Sequence, residues 1–405
     1  MIEQGSPYIV RLSSEKAPFW KTAKPALMEL DMELTERCNN NCLHCCINLP
    51  ADDPVAKKRE LPTAAIKEIL NEAASLGCFT VRFTGGEPLL KDDFEELYLY
   101  ARKLGFKVLL FTNATLITPP LAELFSHIPP LVEIEVTVYG MKRTSYEAIT
   151  RSSGSFEAAW RGINLLLEKK VPFVVKSALL PPNSEEVEAF ESWASTLPWM
   201  DNLPSYSVFF DLHGRRNEAK NILIRDFRPT PQQGVEFLAR RRKKYLRELQ
   251  SFCAKFIGPP GDTLFACGAG LGGACVDAYG MIQLCMGLRY PQTVYDLHKG
   301  SLKQAVTQFF PEVRKIKARN RDYLSRCARC FLKGLCEQCP ARSWAEHETL
   351  DTPVDYYCEI AHTEARVLGL LQKDEKAWEV MDWKERIRDL SQIDHGQMQR
   401  RASWT

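Results

Sequence analysis

Strand-like and helix-like segments alternate from Ala26 to Asp211, and that alternation narrows the architecture more than any other feature of the chain. Ala26–Leu34 (ALMELDMEL), Cys78–Thr84, Lys107–Thr112 (KVLLFT), Val132–Val138 (VEIEVTV), Phe173–Leu180 (FVVKSALL) and Tyr206–Asp211 (YSVFFD) read as strands. Helical periodicity fills the gaps. Pro62–Leu76 opens on a proline and is closed by Gly77, Asp92–Leu104 is closed by Gly105, and Phe156–Lys169 follows later. About six βα units predict a parallel sheet. Polar loops after the strands favour an open, partial (β/α)6 barrel of the TIM type, with a doubly wound sheet as the alternative.

Beyond Asp211 the alternation fades, and the chain divides by composition. Residues 1–25 form an N-terminal segment and 26–212 the barrel. Residues 213–265 form a helical basic linker carrying Arg240, Arg241, Arg242, Lys243 and Lys244. The turn chemistry of Gly258-Pro-Pro-Gly261 marks a boundary before a cysteine-rich domain at 266–365. A charged tail, 366–405, holds a helix at Asp374–Leu390. The chain is 45% hydrophobic, with 53 basic and 51 acidic side chains, so it is no disordered polymer and has no bulk attraction to nucleic acid. No run approaches the roughly 18 apolar residues of a membrane span, and Met1–Leu12 lacks the basic leader and apolar core of an export signal. The expectation is a soluble cytoplasmic protein. The basic run reads as a solvated helix face, with an acidic leader peptide as the alternative ligand.

Fourteen cysteines in a non-exported chain point to metal ligation rather than disulfides. Cys38, Cys42 and Cys45 lie within eight residues, directly after the first strand. Three thiolates can hold three irons of a [4Fe–4S] cube, leaving the fourth iron open to a substrate or cofactor. A zinc knuckle completed by His44 is the alternative on spacing. The second strand runs into Gly85-Gly86-Glu87-Pro88, a sharp turn whose glycines permit close approach of the main chain to a ligand.

Taken in order, Cys-x3-Cys-x2-Cys and Gly-Gly-Glu-Pro resemble the radical S-adenosylmethionine (SAM) enzymes. The resemblance implies that Cys38, Cys42 and Cys45 hold a [4Fe–4S] cluster whose open iron chelates SAM. It also implies that Gly85, Gly86 and Glu87 support the methionine amino group. Asn113 stands in Thr112-Asn113-Ala114, where relatives carry Thr-Asn-Gly. Thr137 stands where a ribose contact is expected, and Tyr139 replaces an acidic residue of the family's Ser-x-Asp-Gly.

Eight further cysteines, from Cys267 to Cys358, resemble the SPASM extension of radical SAM enzymes that mature peptides and proteins. By that resemblance Cys267, Cys275, Cys285 and Cys339 hold one auxiliary [4Fe–4S] cluster, with Cys275 the position that some relatives leave open. Cys327, Cys330, Cys336 and Cys358 hold an outer one, which makes three clusters in all. One spacing departs: two residues precede Cys339 where relatives have three. On spacing alone, zinc ribbon sites are equally compatible. Of the remaining thiols, Cys46 reads as a bystander of the first cluster or a hydrogen donor, Cys78 as strand core and Cys253 as helix core.

The family mechanism implied is reductive cleavage of SAM to a 5′-deoxyadenosyl radical that abstracts hydrogen, with a flavodoxin- or ferredoxin-type reductant. The leading expectation is an oxidative maturase of a ribosomal peptide or protein, installing a thioether or carbon–carbon crosslink or a similar oxidation. About 25 residues precede the first strand, too few for a leader-binding domain of winged-helix type, so any leader recognition is expected to use a separate leader-binding protein or another surface. A dehydrogenase or epimerase of a small metabolite or peptide is one alternative, and a non-catalytic iron–sulfur scaffold or electron carrier another. Sulfatase maturases carry Asp where this chain has Met286, which argues against that activity. Tyr139, Asp211 and Asp277 are the candidate catalytic side chains.

Overall fold

In the first strand, β1 (Glu29–Thr35), side chains alternate between two faces, as a pleated strand requires. Leu30, Met32 and Leu34 are buried on the face that helices cover. Asp31, Glu33 and Thr35 occupy the other, and this division persists along the sheet. The structure, a computed structural model, describes residues 26–45, 49–212, 218–253, 258–336 and 339–392. Short β2 (Arg37–Cys38) and β3 (Leu49–Pro50) pair with each other. They are followed by β4 (Thr80–Gly85), β5 (Lys107–Thr112), β6 (Leu131–Thr137), β7 (Phe173–Ala178) and β8 (Ser205–Ser207).

Strands β1, β4, β5, β6, β7 and β8 are hydrogen-bonded in that order, all parallel. A doubly wound sheet would reverse its strand order at a switch point. The unbroken progression is that of a partial TIM-type barrel, and the intervening helices include Thr63–Ser75, Phe94–Lys103 and Ser155–Glu168. The last strand is only three residues long, shorter than the expected 206–211.

Three strands lie where little periodic structure was expected: β9 (Gly273–Val276), β10 (Met281–Gln283) and β11 (Val294–Asp296). β9 pairs parallel to β1, Cys275 opposite Asp31, and β10 and β11 continue antiparallel. Residues 268–286 and 293–311 therefore belong to the compact unit of the barrel, and the boundary expected at 266 is corrected. The open hydrogen-bonding edge of β1 explains it, since unpaired strand edges recruit strands.

The second unit comprises 208–267, 287–292 and 312 onward. The expectation of a linker at 213–265 is also corrected. Val235, Tyr245 and Leu246 from the "linker" share one apolar cluster with Phe331, Leu335, Tyr357, Ile360 and Ile387. The tail contributes through the helix Trp383–Gln392, while the expected start at Asp374 falls in turns. Among the described residues, no helix is long and apolar enough to cross a membrane.

Candidate active site at the carboxyl ends of the barrel strands

The loop that carries the first three cysteines is held at its base and along its length. β2 and β3 close its ends, and the backbone N–H groups of Asn41 and Leu43 donate to the carbonyls of Thr150 and Ile149 (2.8 and 3.0 Å). The Arg37 guanidinium, 4% exposed, pairs with the buried Glu60 carboxylate at 2.7 Å and donates to the Ala51 carbonyl. Breaking a buried pair of this kind on one side costs about 3–5 kcal/mol, because the other charge is left uncompensated. Sequence reasoning did not find Glu60, Ile149 or Thr150, which act through backbone and tertiary contacts.

The two glycines of Gly85-Gly86 answer first to this loop. Gly86 N–H donates to the Thr35 carbonyl at 2.7 Å, and Glu87 N–H to the Arg37 carbonyl at 2.9 Å. A Cβ on Gly85, whose φ is +134°, would stand 2.2 Å from the Thr35 carbonyl oxygen; one on Gly86 would stand 2.1 Å from that of Arg37. The turn thus packs directly against the residues leading into Cys38.

Glu87 is 1% exposed, and its carboxylate accepts from Thr112 Oγ1 and from the Asn113 backbone (both 2.8 Å). Burial nevertheless raises its pKa to about 7 against those hydrogen bonds. The Asn113 amide donates to Asn39 Oδ1 at 2.9 Å, while its oxygen accepts from Thr115 N–H at 2.9 Å. The end of β5 is so tied to the cysteine loop. Ala114, at the position where relatives carry glycine, adopts φ +61°.

These contacts gather Cys38, Cys42, Cys45, Gly85, Gly86, Glu87, Asn113, Thr137 and Tyr139 around one cavity of about 150 Å³. Asn40, Thr84, Phe111, Thr112 and Lys176 complete its wall, and no motif had marked Thr84, Phe111 or Lys176. Burial, then the Glu87 charge, pushes the Cys38 thiol far above its ordinary pKa, so iron must displace its proton on binding. Tyr139 is held between the rings of His44 and Tyr146 (centroids at 5.5 and 5.7 Å), and burial together with Cys42 raises its hydroxyl pKa.

The inward face of the strands is charged where a closed TIM barrel packs branched apolar side chains. Arg82 pairs with Asp31 at 3.0 Å and lies over the Phe111 ring at 4.9 Å. Lys176 lies over the same ring at 3.7 Å and pairs with Glu135. Burial lifts Asp31 to about 6 despite Arg82. Such an interior is suited to a polar ligand.

The other two candidate acids stand elsewhere. Asp277 Oδ1 accepts the backbone N–H groups of Tyr279 and Met281 (2.9 Å each), stabilising the β9–β10 turn. Asp211 belongs to the second unit, where Arg342 Nε at 2.5 Å and the Tyr357 hydroxyl hold it. Neither lines the cavity. Cys78, buried, donates to the Met28 and Thr80 carbonyls as a core residue. Cys46, and the side chains of Arg242 and Cys253, lie outside the described residues.

The second unit has its own thiol-lined cavity. Cys327, Cys330, Cys336 and Cys358 surround it, together with Tyr323, Arg326, Lys333, His362 and Trp378. Burial pushes the Cys327 thiol up to about 12, and the neighbouring Cys336 and Cys358 add to the effect. Of the four other cysteines between 267 and 358, Cys275 is buried in β9 and Cys285 follows β10, both in the barrel unit, while Cys267 and Cys339 belong to the second. Among the described residues, no three His, Cys, Asp or Glu side chains are gathered tightly enough to hold a single metal ion; the thiols ring cavities instead.

Residues 32–194 match the Radical SAM superfamily. The matched segment contains every residue that lines the cavity described above. The chain is 28% identical over 223 residues to an AdoMet-dependent heme synthase of Methanosarcina barkeri, covering 55% of this chain and 60% of that protein. It is 27% identical over 266 residues to the mycofactocin maturase MftC of Mycolicibacterium smegmatis, covering 63% of each. The chain thus spans less than two thirds of the length of either relative. In fold, it is similar to Streptococcus suis SuiB bound to precursor peptide SuiA, with a TM-score of 0.59 at 15% identity over 85% of this chain and 78% of that one.

Proposed function

We propose that the protein is an oxidative radical SAM maturase acting on a ribosomal peptide or protein. The observation that carries this reading is the pairing of two unlike thiol cavities. One has three cysteines beside a SAM-type turn, and the other has four. A closed four-thiolate site offers no place for a substrate, which suits it to electron transfer, and a reaction that removes electrons from substrate needs such a site. The peptide class is supported by the mycofactocin maturase relative and by the fold shared with a precursor-peptide complex.

When bound, the cluster and SAM supply a 5′-deoxyadenosyl radical able to take hydrogen from an unactivated C–H bond. The chain's own residues orient and exclude water. Glu87, locked by Thr112 and Asn113, holds the turn against the cysteine loop. Thr137 and Asn113 face the cavity where the nucleoside would lie. Tyr139 closes one wall, and Lys176 and Arg82 with their carboxylate partners present a charged inner surface to the substrate.

The test is incubation of the reduced protein with SAM and candidate precursor peptides encoded beside its gene. Loss of two hydrogens, with 5′-deoxyadenosine formed stoichiometrically, supports the reading. Uptake of one solvent deuterium at Cα without other mass change points to epimerisation and sinks it. A second reading, oxidation of a tetrapyrrole on a route to heme, is favoured by the heme synthase relative. It predicts turnover of the tetrapyrrole and none of the peptides.

A further inference from the structure

We infer that Arg326 and His362 hydrogen-bond the Cys358 thiolate and thereby raise the reduction potential of a cluster held by Cys327, Cys330, Cys336 and Cys358. The inference rests on the proposed function, in which this cavity holds an electron-transfer cluster.

Two donors converge on one sulfur. Arg326 Nη2 lies 3.7 Å from Cys358 Sγ and 2.7 Å from Asp355 Oδ1, and its guanidinium is stacked over Trp378 at 5.0 Å. Asp355 is 79% exposed, so water screens its carboxylate and leaves much of the guanidinium charge acting on the buried side. His362, only 1% exposed, approaches from the next turn of the helix Asp355–Val367. Its Nε2 lies 3.2 Å from the Ala377 backbone nitrogen, a group that can only donate. Nε2 therefore carries the lone pair, and the hydrogen sits on Nδ1. That nitrogen lies 2.8 Å from the Cys358 carbonyl and 3.7 Å from its sulfur, so one N–H is shared between them. The ring cannot turn away, since Ala377 holds its far side and Trp378 packs on it at 5.4 Å.

A cluster gains one negative charge on reduction. Donors aimed at a ligand sulfur stabilise that charge, and hydrogen bonds to sulfur are among the levers that set cluster potentials. The arrangement suits this site to accept an electron.

The test uses the full chain, reconstituted anaerobically, with iron counted and the potential titrated by electron paramagnetic resonance. The signal that Cys330→Ala removes belongs to this site. Arg326→Gln is expected to lower its reduced-to-oxidised ratio about tenfold at fixed potential, a shift of about 59 mV for one electron. His362→Gln is expected to shift it the same way by less, and Arg326→Lys to fall between. If Arg326→Gln loses iron, His362→Gln and Arg326→Lys decide in its place. An unchanged or raised midpoint in iron-replete variants overturns the inference while leaving the cluster assignment intact. A wild-type protein in which Cys330→Ala removes no signal overturns the assignment and the inference together.

Discussion

The two thiol cavities contain the same residue type in different company. In the barrel, three cysteines sit on a loop fixed by main-chain hydrogen bonds, facing the polar ends of strands and a charged interior. In the second unit, four cysteines stand against an apolar cluster that includes Cys330 and Cys336 among its packed neighbours. Under the proposed function, the first arrangement would leave a face for a ligand and the second would surround a cluster. Ligand number and surroundings, rather than the thiols themselves, separate a reactive site from an electron-transfer one.

Replacing one cysteine in each cavity should separate them most sharply. Cys42→Ala is expected to lose about four irons and abolish 5′-deoxyadenosine formation. Cys330→Ala should lose a similar amount of iron yet still cleave SAM, with oxidised product absent. Iron analysis and chromatography of the adenosine product check both; loss of SAM cleavage in Cys330→Ala would break the distinction.

Glu87 probes the barrel site through pH. Its pKa rises from an ordinary 4.5 to about 7 on folding, so the folded state holds the extra proton between those values. Stability from this group is present below about pH 4.5 and lost as pH rises through about 7, to the extent of about 3 kcal/mol. Unfolding of the metal-free protein across pH 5–8 should show this decline in the wild type and a flatter profile in Glu87→Gln. Matching profiles would remove Glu87 as the cause.

The glycines test how tightly each region is built. Gly86→Ala must move the Arg37 backbone and should cost about 1–3 kcal/mol. Gly287→Ala in the second unit meets only the Ala341 methyl at 3.4 Å and should change stability by less than about 0.5 kcal/mol. Denaturant midpoints compare the two. One substitution is expected to bring a gain: Ala114→Gly relieves a left-handed residue and should stabilise the barrel by about 1 kcal/mol.

The barrel strands were legible because a buried parallel sheet with helical crossovers imposes a repeating pattern on local sequence. The site was legible as far as its motifs ran: the cysteines, the glycine turn, Asn113, Thr137 and Tyr139 line one cavity. Lys176, Phe111 and Thr84 were not, because an inward-facing strand residue looks like any other alternate position. The three strands near Cys275 were missed for a related reason. Each has three or four residues, too short for a period to emerge. Asp211 and Asp277 drew attention as acids near strand ends, and only their partners reveal one as an ion-pair anchor and the other as a turn residue.

By itself, the sequence determined the βα alternation, the first cysteine triad and the glycine turn, because these depend on spacing along one short stretch of chain. Tertiary structure decided which residues share each cavity and where the units divide. It also decided that Arg326 meets Cys358, 32 residues away along the chain. Such meetings depend on packing between elements distant in sequence, which leaves no periodic trace to read.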